Sequence, residues 1–225
     1  MKTYIVEQGS PEWKTLRLGI PTASEFDRIV TPAGALSKQA RGYMCRLAAE
    51  RFLRKPLDEI GDMFWIKRGT ELEPDAVLAY ELARGCDLMR VGFCTTDDGR
   101  IGASLDRLST DGGAVEIKCP APATHVGYLT EGFGRTYWHQ VQGQMLVCDL
   151  PWVDLVSYYP GLPLHIERIE RDLAYIRTLE SALWKFCDEL DALAERLRAM
   201  GAVEMVPEGT ECRKLAERCL KGDVA

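Results

Sequence analysis

Polar and apolar positions along the chain follow two different periods, and the switch between them organises the reading. Between residues 38 and 54, Tyr43, Met44, Leu47, Ala48 and Phe52 recur at threes and fours, a spacing that gathers them on one side of an α-helix. Ser37 precedes the run as a cap and Pro56 ends it. A second helix is expected from Thr70 to Gly85, with Pro74 tolerated in its first turn, where a missing N–H leaves no bond unmade. From Asp87 the period shortens. Runs at 88–94, 101–108 and 114–119 read as strands, separated by the turn formers Asp97-Asp98-Gly99 and Asp111-Gly112-Gly113. A helix over 137–148 follows, then strands over 152–159 and 164–170 joined by Pro160-Gly161-Leu162-Pro163. The clearest stripe comes last: Leu173, Ile176, Leu179, Leu183, Phe186, Leu190, Leu193 and Leu197 share one face of a long helix that Gly201 stops. An intrachain core is the default reading of that face, and an interface between subunits is the alternative. Helices flanking a mixed, hairpin-rich sheet make an α/β or α+β fold. With no repeat or obvious linker, residues 1–225 are expected to form one domain that carries a long helix and tail from about residue 172.

Composition changes this picture little but excludes several classes. Hydrophobic residues at 46% and charged residues at 28% are the balance of a protein with a full core. No apolar run approaches the ~18 residues of a membrane span, and the opening residues lack a signal-peptide core, so no membrane role and a cytoplasmic setting are expected. Eight cysteines occur without a Cys-x-x-Cys pair, which argues against a zinc ribbon, a redox motif or a closely spaced disulfide framework. Most lie in apolar contexts and read as small buried hydrophobes. A net charge of −6 does not exclude nucleic acid, because binding follows local potential. Residues 38–55 hold Lys38, Arg41, Arg46, Arg51, Arg54 and Lys55 against the single acid Glu50.

The chemistry concentrates in two neighbouring segments, Gly102-Ala103-Ser104-Leu105-Asp106 and Val115-Glu116-Ile117-Lys118. Strands joined by a short turn bring Asp106 near Glu116. Alternation then puts Glu116 and Lys118 on one face and Ile117 on the other. Two carboxylates and an ammonium on one patch suit hard Mg²⁺, which prefers carboxylate oxygen and retains several waters. Such an ion polarises a phosphoryl oxygen and activates water, while the lysine orients that water or offsets developing charge. Glu-x-Lys alone is more often a solvated strand edge, and Asp106 alone is often only a turn residue.

Further motifs carry the reading beyond that pattern. The segment Glu7-Gln8-Gly9-Ser10-Pro11-Glu12-Trp13, continuing through Leu16-Arg17-Leu18-Gly19-Ile20 to Thr22-Ala23-Ser24, resembles the opening motif of the lambda exonuclease/YqaJ viral recombinase family. The resemblance continues in order through Gly69-Thr70-Glu71-Leu72-Glu73, Ser104-Leu105-Asp106, Glu116-Ile117-Lys118-Cys119-Pro120 and Tyr137-Trp138-His139-Gln140-Val141-Gln142. It implies a PD-(D/E)xK core and a 5′→3′ exonuclease that acts on double-stranded DNA ends and leaves a 3′ single-stranded tail. Mg²⁺, with Mn²⁺ as a substitute, is implied at Asp106, Glu116 and the Ile117 carbonyl, with Lys118 facing the attacking water.

By the same resemblance Glu73 and Gln140 join the catalytic group. Local alternatives stand beside them: a capping box Thr70-x-x-Glu73, and an exposed helix face shared by Gln140 and Gln144. Arg17, Ser24 and Ser104 match a 5′-phosphate pocket, chemically apt because a guanidinium and hydroxyls donate well to phosphate. A surface ion pair for Arg17 and a helix cap for Ser24 are the simpler readings. Trp13 sits either beside that pocket or in the core, and Ile66 is either an apolar wedge at the duplex end or core.

Two departures from the family pattern stand out. Leu105-Asp106-Arg107 replaces Pro-Asp-Gly, leaving Arg107 as a possible DNA contact, and Thr31-Pro32-Ala33-Gly34-Ala35 replaces a basic loop, with Lys38 or Arg41 as substitutes. A ring-shaped homotrimer and a single-strand annealing partner, docked by residues 202–225, are also implied. A nicking or endonucleolytic relative and a catalytically inactive DNA-end-binding module are the competing functions.

Overall fold

The computed structural model of the chain describes residues 1–57 and 63–205, with backbone only for 63–66. In order, the elements are β1 (Lys2–Tyr4), α1 (Pro11–Arg17), a 3-10 helix (Ala23–Arg28), α2 (Ala40–Leu53), α3 (Met63–Arg84), β2 (Leu88–Arg90), β3 (Phe93–Thr95), β4 (Gly102–Ala103), β5 (Arg107–Ser109), β6 (Ala114–Lys118), α4 (Pro122–Glu131), α5 (Trp138–Cys148), β7 (Trp152–Ser157), β8 (His165–Glu170) and α6 (Leu173–Ala199). The main sheet has the order β2-β5-β6-β7-β8. Its pairs are antiparallel except β6 with β7, which run parallel from Ala114↔Val153 to Lys118↔Ser157. A parallel pair needs a long crossover, here supplied by α4 and α5. A smaller sheet runs β1-β3-β4.

Both faces of the main sheet are covered. Val115, Ile117 and Val156 pack beneath Ala76 and Tyr80 of α3. Ala114, Val153 and Leu155 face the opposite way, into a larger core shared with α2, α5 and α6. Two-sided burial explains why every residue of β7 is buried. It also encloses Asp154, which is 0% exposed. This carboxylate takes two hydrogen bonds from Arg168, at 2.7 and 2.9 Å, and one from the Tyr80 hydroxyl at 2.8 Å, so the charge is compensated. The stripe on α6 packs against α2 and α5, as an intrachain core. Cys86, Cys94, Cys148 and Cys187 are buried and free, Cys45 is exposed and Cys119 half-buried. Among the described residues no helix is long and apolar enough to cross a membrane.

Three departures from the expected elements bear on function. The run at 88–94 breaks into β2 and β3, which belong to different sheets. At the break, Gly92 lies so close to the Val6 carbonyl oxygen that an added Cβ would sit 2.0 Å from it. The run at 101–108 likewise breaks into β4 and β5, leaving Ser104, Leu105 and Asp106 in the crossing between the two sheets. Finally, α3 begins at Met63, not Thr70, and carries Pro74 in its interior. Thr70 is therefore no N-cap, and the capping-box reading of Glu73 falls. The short α1, the 3-10 helix, β1 and α4 were beyond reach of periodicity. In α1, Ser10 caps through a 3.2 Å bond from the Trp13 N–H, with Pro11 in the first turn.

Candidate active site

Strand β6 divides its side chains as its period dictates. Ile117 goes under α3, while Glu116 and Lys118 turn toward α5. There the Lys118 ammonium donates to Glu116 Oε1 at 2.6 Å and lies 3.4 Å from Gln140 Oε1. Gln140 Nε2 donates to the same Glu116 oxygen at 2.5 Å, and Gln144 Nε2 donates to the other, Oε2, at 2.7 Å. The Tyr137 ring stands 4.6 Å from the ammonium. Asp106 arrives from the sheet crossing and is fixed by the Ile117 N–H, which donates to its Oδ2 at 2.8 Å. Asp106, Glu116, Lys118, Glu73, Gln8 and Tyr137 line one cleft of about 480 Å³.

Electrostatics in this cleft favour a cation. Burial, and then the Glu116 charge, push the Asp106 carboxyl up to about 7. Burial opposes the Lys118 ammonium, but Glu116 and Asp106 outweigh it and hold the lysine protonated above its ordinary range. Lys118 is thus a donor and a positive charge, not a base. Among the described residues no three or more His, Cys, Asp or Glu side chains form a metal cage. The donors that do converge are the Asp106 and Glu116 carboxylates, both hard oxygen, with Ile117 lining the same cleft. That set fits Mg²⁺, which binds through one or two carboxylates and keeps its waters, and does not fit a four-ligand zinc site.

Next to the cleft, Ser104 forms a second cluster. Its Oγ accepts from Trp13 Nε1 and from Arg17 Nη1, each at 3.1 Å, and the Arg17 guanidinium lies 4.2 Å over the Trp13 ring. The half-buried Trp13 therefore belongs to this cluster and not to the core. Helix α1, distant in sequence, thus meets the sheet crossing beside the cleft.

The profile of the YqaJ-like viral recombinase domain matches residues 12–151. The chain belongs to this lambda exonuclease/YqaJ family. An alkaline exonuclease (LHK-Exo) from Laribacter hongkongensis is 34% identical, with a TM-score of 0.76 over 86% of this chain and 98% of that one. The same exonuclease in complex with dAMP gives 34% identity and a TM-score of 0.75 over equal shares. A phage-related exonuclease from Haemophilus somnus 129PT, 19% identical with a TM-score of 0.59 over 77% of this chain and 96% of that one, shares the fold. No curated protein matches the chain. The expected PD-(D/E)xK-type α+β fold holds, and relatives that are exonucleases indicate a nuclease.

Within the family frame some expected positions lie elsewhere. Glu73 lines the cleft but is turned to Arg107, whose Nη2 is 2.7 Å from its Oε1. Arg107 also donates to the Asp106 carbonyl at 2.6 Å and is only 7% exposed. This arginine is an internal strut, which overturns its reading as a DNA contact. Ser24 is exposed at the start of the 3-10 helix, its hydroxyl 3.5 Å from that of Thr22, and Thr22, not Ser24, is the cap residue. Thr22 and Arg17 line one small cavity of about 30 Å³ whose wall does not include Ser24. Lys38 and Arg41 are exposed in a different hollow, between α2 and α6. Arg46 pairs with Glu25, and Arg51 with Asp191 at 2.6 Å, so the basic run is partly neutralised within the chain. The Ile66 side chain, most of the 202–225 tail, and Cys212 and Cys219 lie outside the described residues. Gln144 and Gln8 carried no assignment in the sequence. Only the burial of α5 distinguishes Gln144 from a solvated glutamine.

Proposed function

We propose that the chain is a Mg²⁺-dependent 5′→3′ exonuclease that degrades one strand of linear double-stranded DNA from its end and leaves a 3′ single-stranded tail. The observation that carries this is the meeting of Asp106, Glu116 and Lys118 on one cleft wall, with the Ser104–Arg17–Trp13 cluster beside it. Family membership and 34% identity to an exonuclease studied with dAMP support the same reading.

Asp106, Glu116 and the Ile117 carbonyl are the groups that would hold the ion. When bound, it supplies charge stabilisation for the phosphoryl oxygens and lowers the pKa of water. The residues of the chain do the remaining work. Lys118, held protonated, orients the attacking water and stabilises charge that develops on the phosphate. Gln140 bridges Lys118 and Glu116 and keeps the ammonium aimed at the cleft. Arg17 and Ser104 clamp the terminal 5′-phosphate, with Ser24 at the edge of the same pocket, and so set which phosphodiester lies over the carboxylates. Assembly as a homotrimer around the duplex and hand-over of the tail to a single-strand annealing protein complete the proposal.

The test is digestion of end-labelled linear duplex with Mg²⁺, using Lys118→Ala and Asp106→Asn as controls. Label at the 5′ end should be released first, and both variants should lose digestion by several orders of magnitude while still binding ends. Cutting of closed circular DNA would move the assignment to a nicking or endonuclease activity. End binding without cleavage would leave an inactive DNA-end-binding module. Undiminished digestion by either variant would remove this site.

A further inference from the structure

One buried polar group of the cleft has no role in the scheme above. Gln144, on α5, is 1% exposed. Its amide nitrogen donates twice, to Glu116 Oε2 at 2.7 Å and to the Ser104 carbonyl oxygen at 2.9 Å. Its Oε1 is buried without a partner. A reversed amide would set Oε1 against a carboxylate and a carbonyl, two acceptors, so the orientation is fixed by chemistry. Leaving an amide oxygen buried and unpaired is unfavourable, whereas Met or Leu would fill similar space with no such cost. The amide is therefore kept for its two donated bonds. Those bonds end on two separate segments: one on the carboxylate that faces the ion site, the other on the residue whose hydroxyl carries Arg17 and Trp13.

We infer that Gln144 is a positioning residue that ties the Glu116 carboxylate to the Ser104 strand end, setting the spacing between the terminal-phosphate pocket and the scissile bond. This rests on the function proposed above. The amide touches no substrate. It acts by holding one oxygen of Glu116 in a fixed direction and by keeping Ser104 at a fixed height above β6. A rigid spacing lets a captured 5′-phosphate define a single bond for cleavage; a loose spacing lets the neighbouring bond slide into register.

The test uses the full-length protein with Gln144→Met, which preserves volume, and Gln144→Asn, whose shorter amide falls short of both acceptors. The rise in melting temperature on titration with Mg²⁺ alone should require about tenfold more ion in both variants, the usual scale for losing a group that orients a metal-binding carboxylate. Affinity for a 5′-phosphorylated duplex end in EDTA, read by fluorescence anisotropy, should stay near wild type, because Arg17 and the Ser104 hydroxyl remain. During digestion kcat should fall about tenfold with KM little changed, and dinucleotides should appear among the mononucleotide products. A purely structural role would lower the melting temperature without moving the Mg²⁺ midpoint or the product length. That pattern in both variants, or wild-type values for both readouts, would overturn the inference. Absence of Mg²⁺-dependent digestion by the wild-type protein would instead overturn the function on which it rests.

Discussion

Ser104 uses each of its polar atoms for a different purpose. Its hydroxyl oxygen accepts from Trp13 and Arg17, which occupies both lone pairs and leaves the hydroxyl hydrogen to donate outward. A phosphate oxygen is the natural acceptor for a hydrogen aimed that way beside a guanidinium. Charge-assisted bonds of this kind contribute about 1.5–3 kcal/mol. Arg17→Ala should accordingly cut the preference for 5′-phosphorylated over 5′-hydroxyl ends by about tenfold or more, measured as a ratio of digestion rates. An unchanged ratio would take Arg17 out of the pocket. At this scale the sequence was informative where a short period decides orientation. Glu116 and Lys118 take the cleft face and Ile117 the core face because the alternation of a strand permits nothing else. Gln144 was illegible for the opposite reason: glutamines at i and i+4 mark a helix face, and only the packing of α5 says which way that face points.

Between elements, the Glu73–Arg107 pair is the joint that matters. It fastens α3 to β5 directly above Asp106. The spacing Thr70-x-x-Glu73 resembled a cap because the apolar period becomes clear only after Thr70, whereas the helix itself already runs from Met63. Removing the acid would leave the 7%-exposed Arg107 uncompensated. Glu73→Gln should lower unfolding stability by about 1–3 kcal/mol, less than for a fully enclosed pair because Glu73 itself is partly exposed. The urea midpoint measures this. Adding Arg107→Met to the same chain should recover part of the loss, since replacing both members removes the stranded charge. A midpoint unmoved by Glu73→Gln would show that the pair is not a strut. The broken strands teach the same lesson. An apolar run in sequence did not reveal that Gly92 and the 104–106 segment pass the chain from one sheet to another, because sheet membership depends on residues far away, such as Val6.

For the molecule as a whole, the cores on both sides of the main sheet hide tyrosines that must stay protonated. Burial, followed by the nearby Glu25 charge, raises the Tyr43 hydroxyl well above its usual range, and burial with the Asp154 hydrogen bond does the same for Tyr80. In the unfolded chain both ionise near pH ~10. Because the folded values are higher, their contribution is fully present below that pH and is lost as pH climbs toward the folded values. Thermal melts between pH 8 and 11 should show stability falling steeply from about pH 10, and Tyr43→Phe should flatten that slope. An equally steep slope in the variant would place the alkaline loss elsewhere. The fold class was legible at this scale because the long stripe of α6 and the strand–helix alternation survive any local error. The pairing order was not, since nothing in the residues of β6 names β7 as its parallel neighbour.

That parallel pairing has a consequence for how the protein is made. Glu116 and Lys118 lie on β6, yet their neighbour β7 comes only after α4 and α5 have been laid down. Contacts closed over such long stretches form late, because the chain must give up its freedom before it gains the pairing. A ribosome-bound fragment ending before β7 lacks the strand that pairs beside Glu116 and Lys118. The patch that carries Glu116 and Lys118 is therefore completed only after β7 has been synthesised.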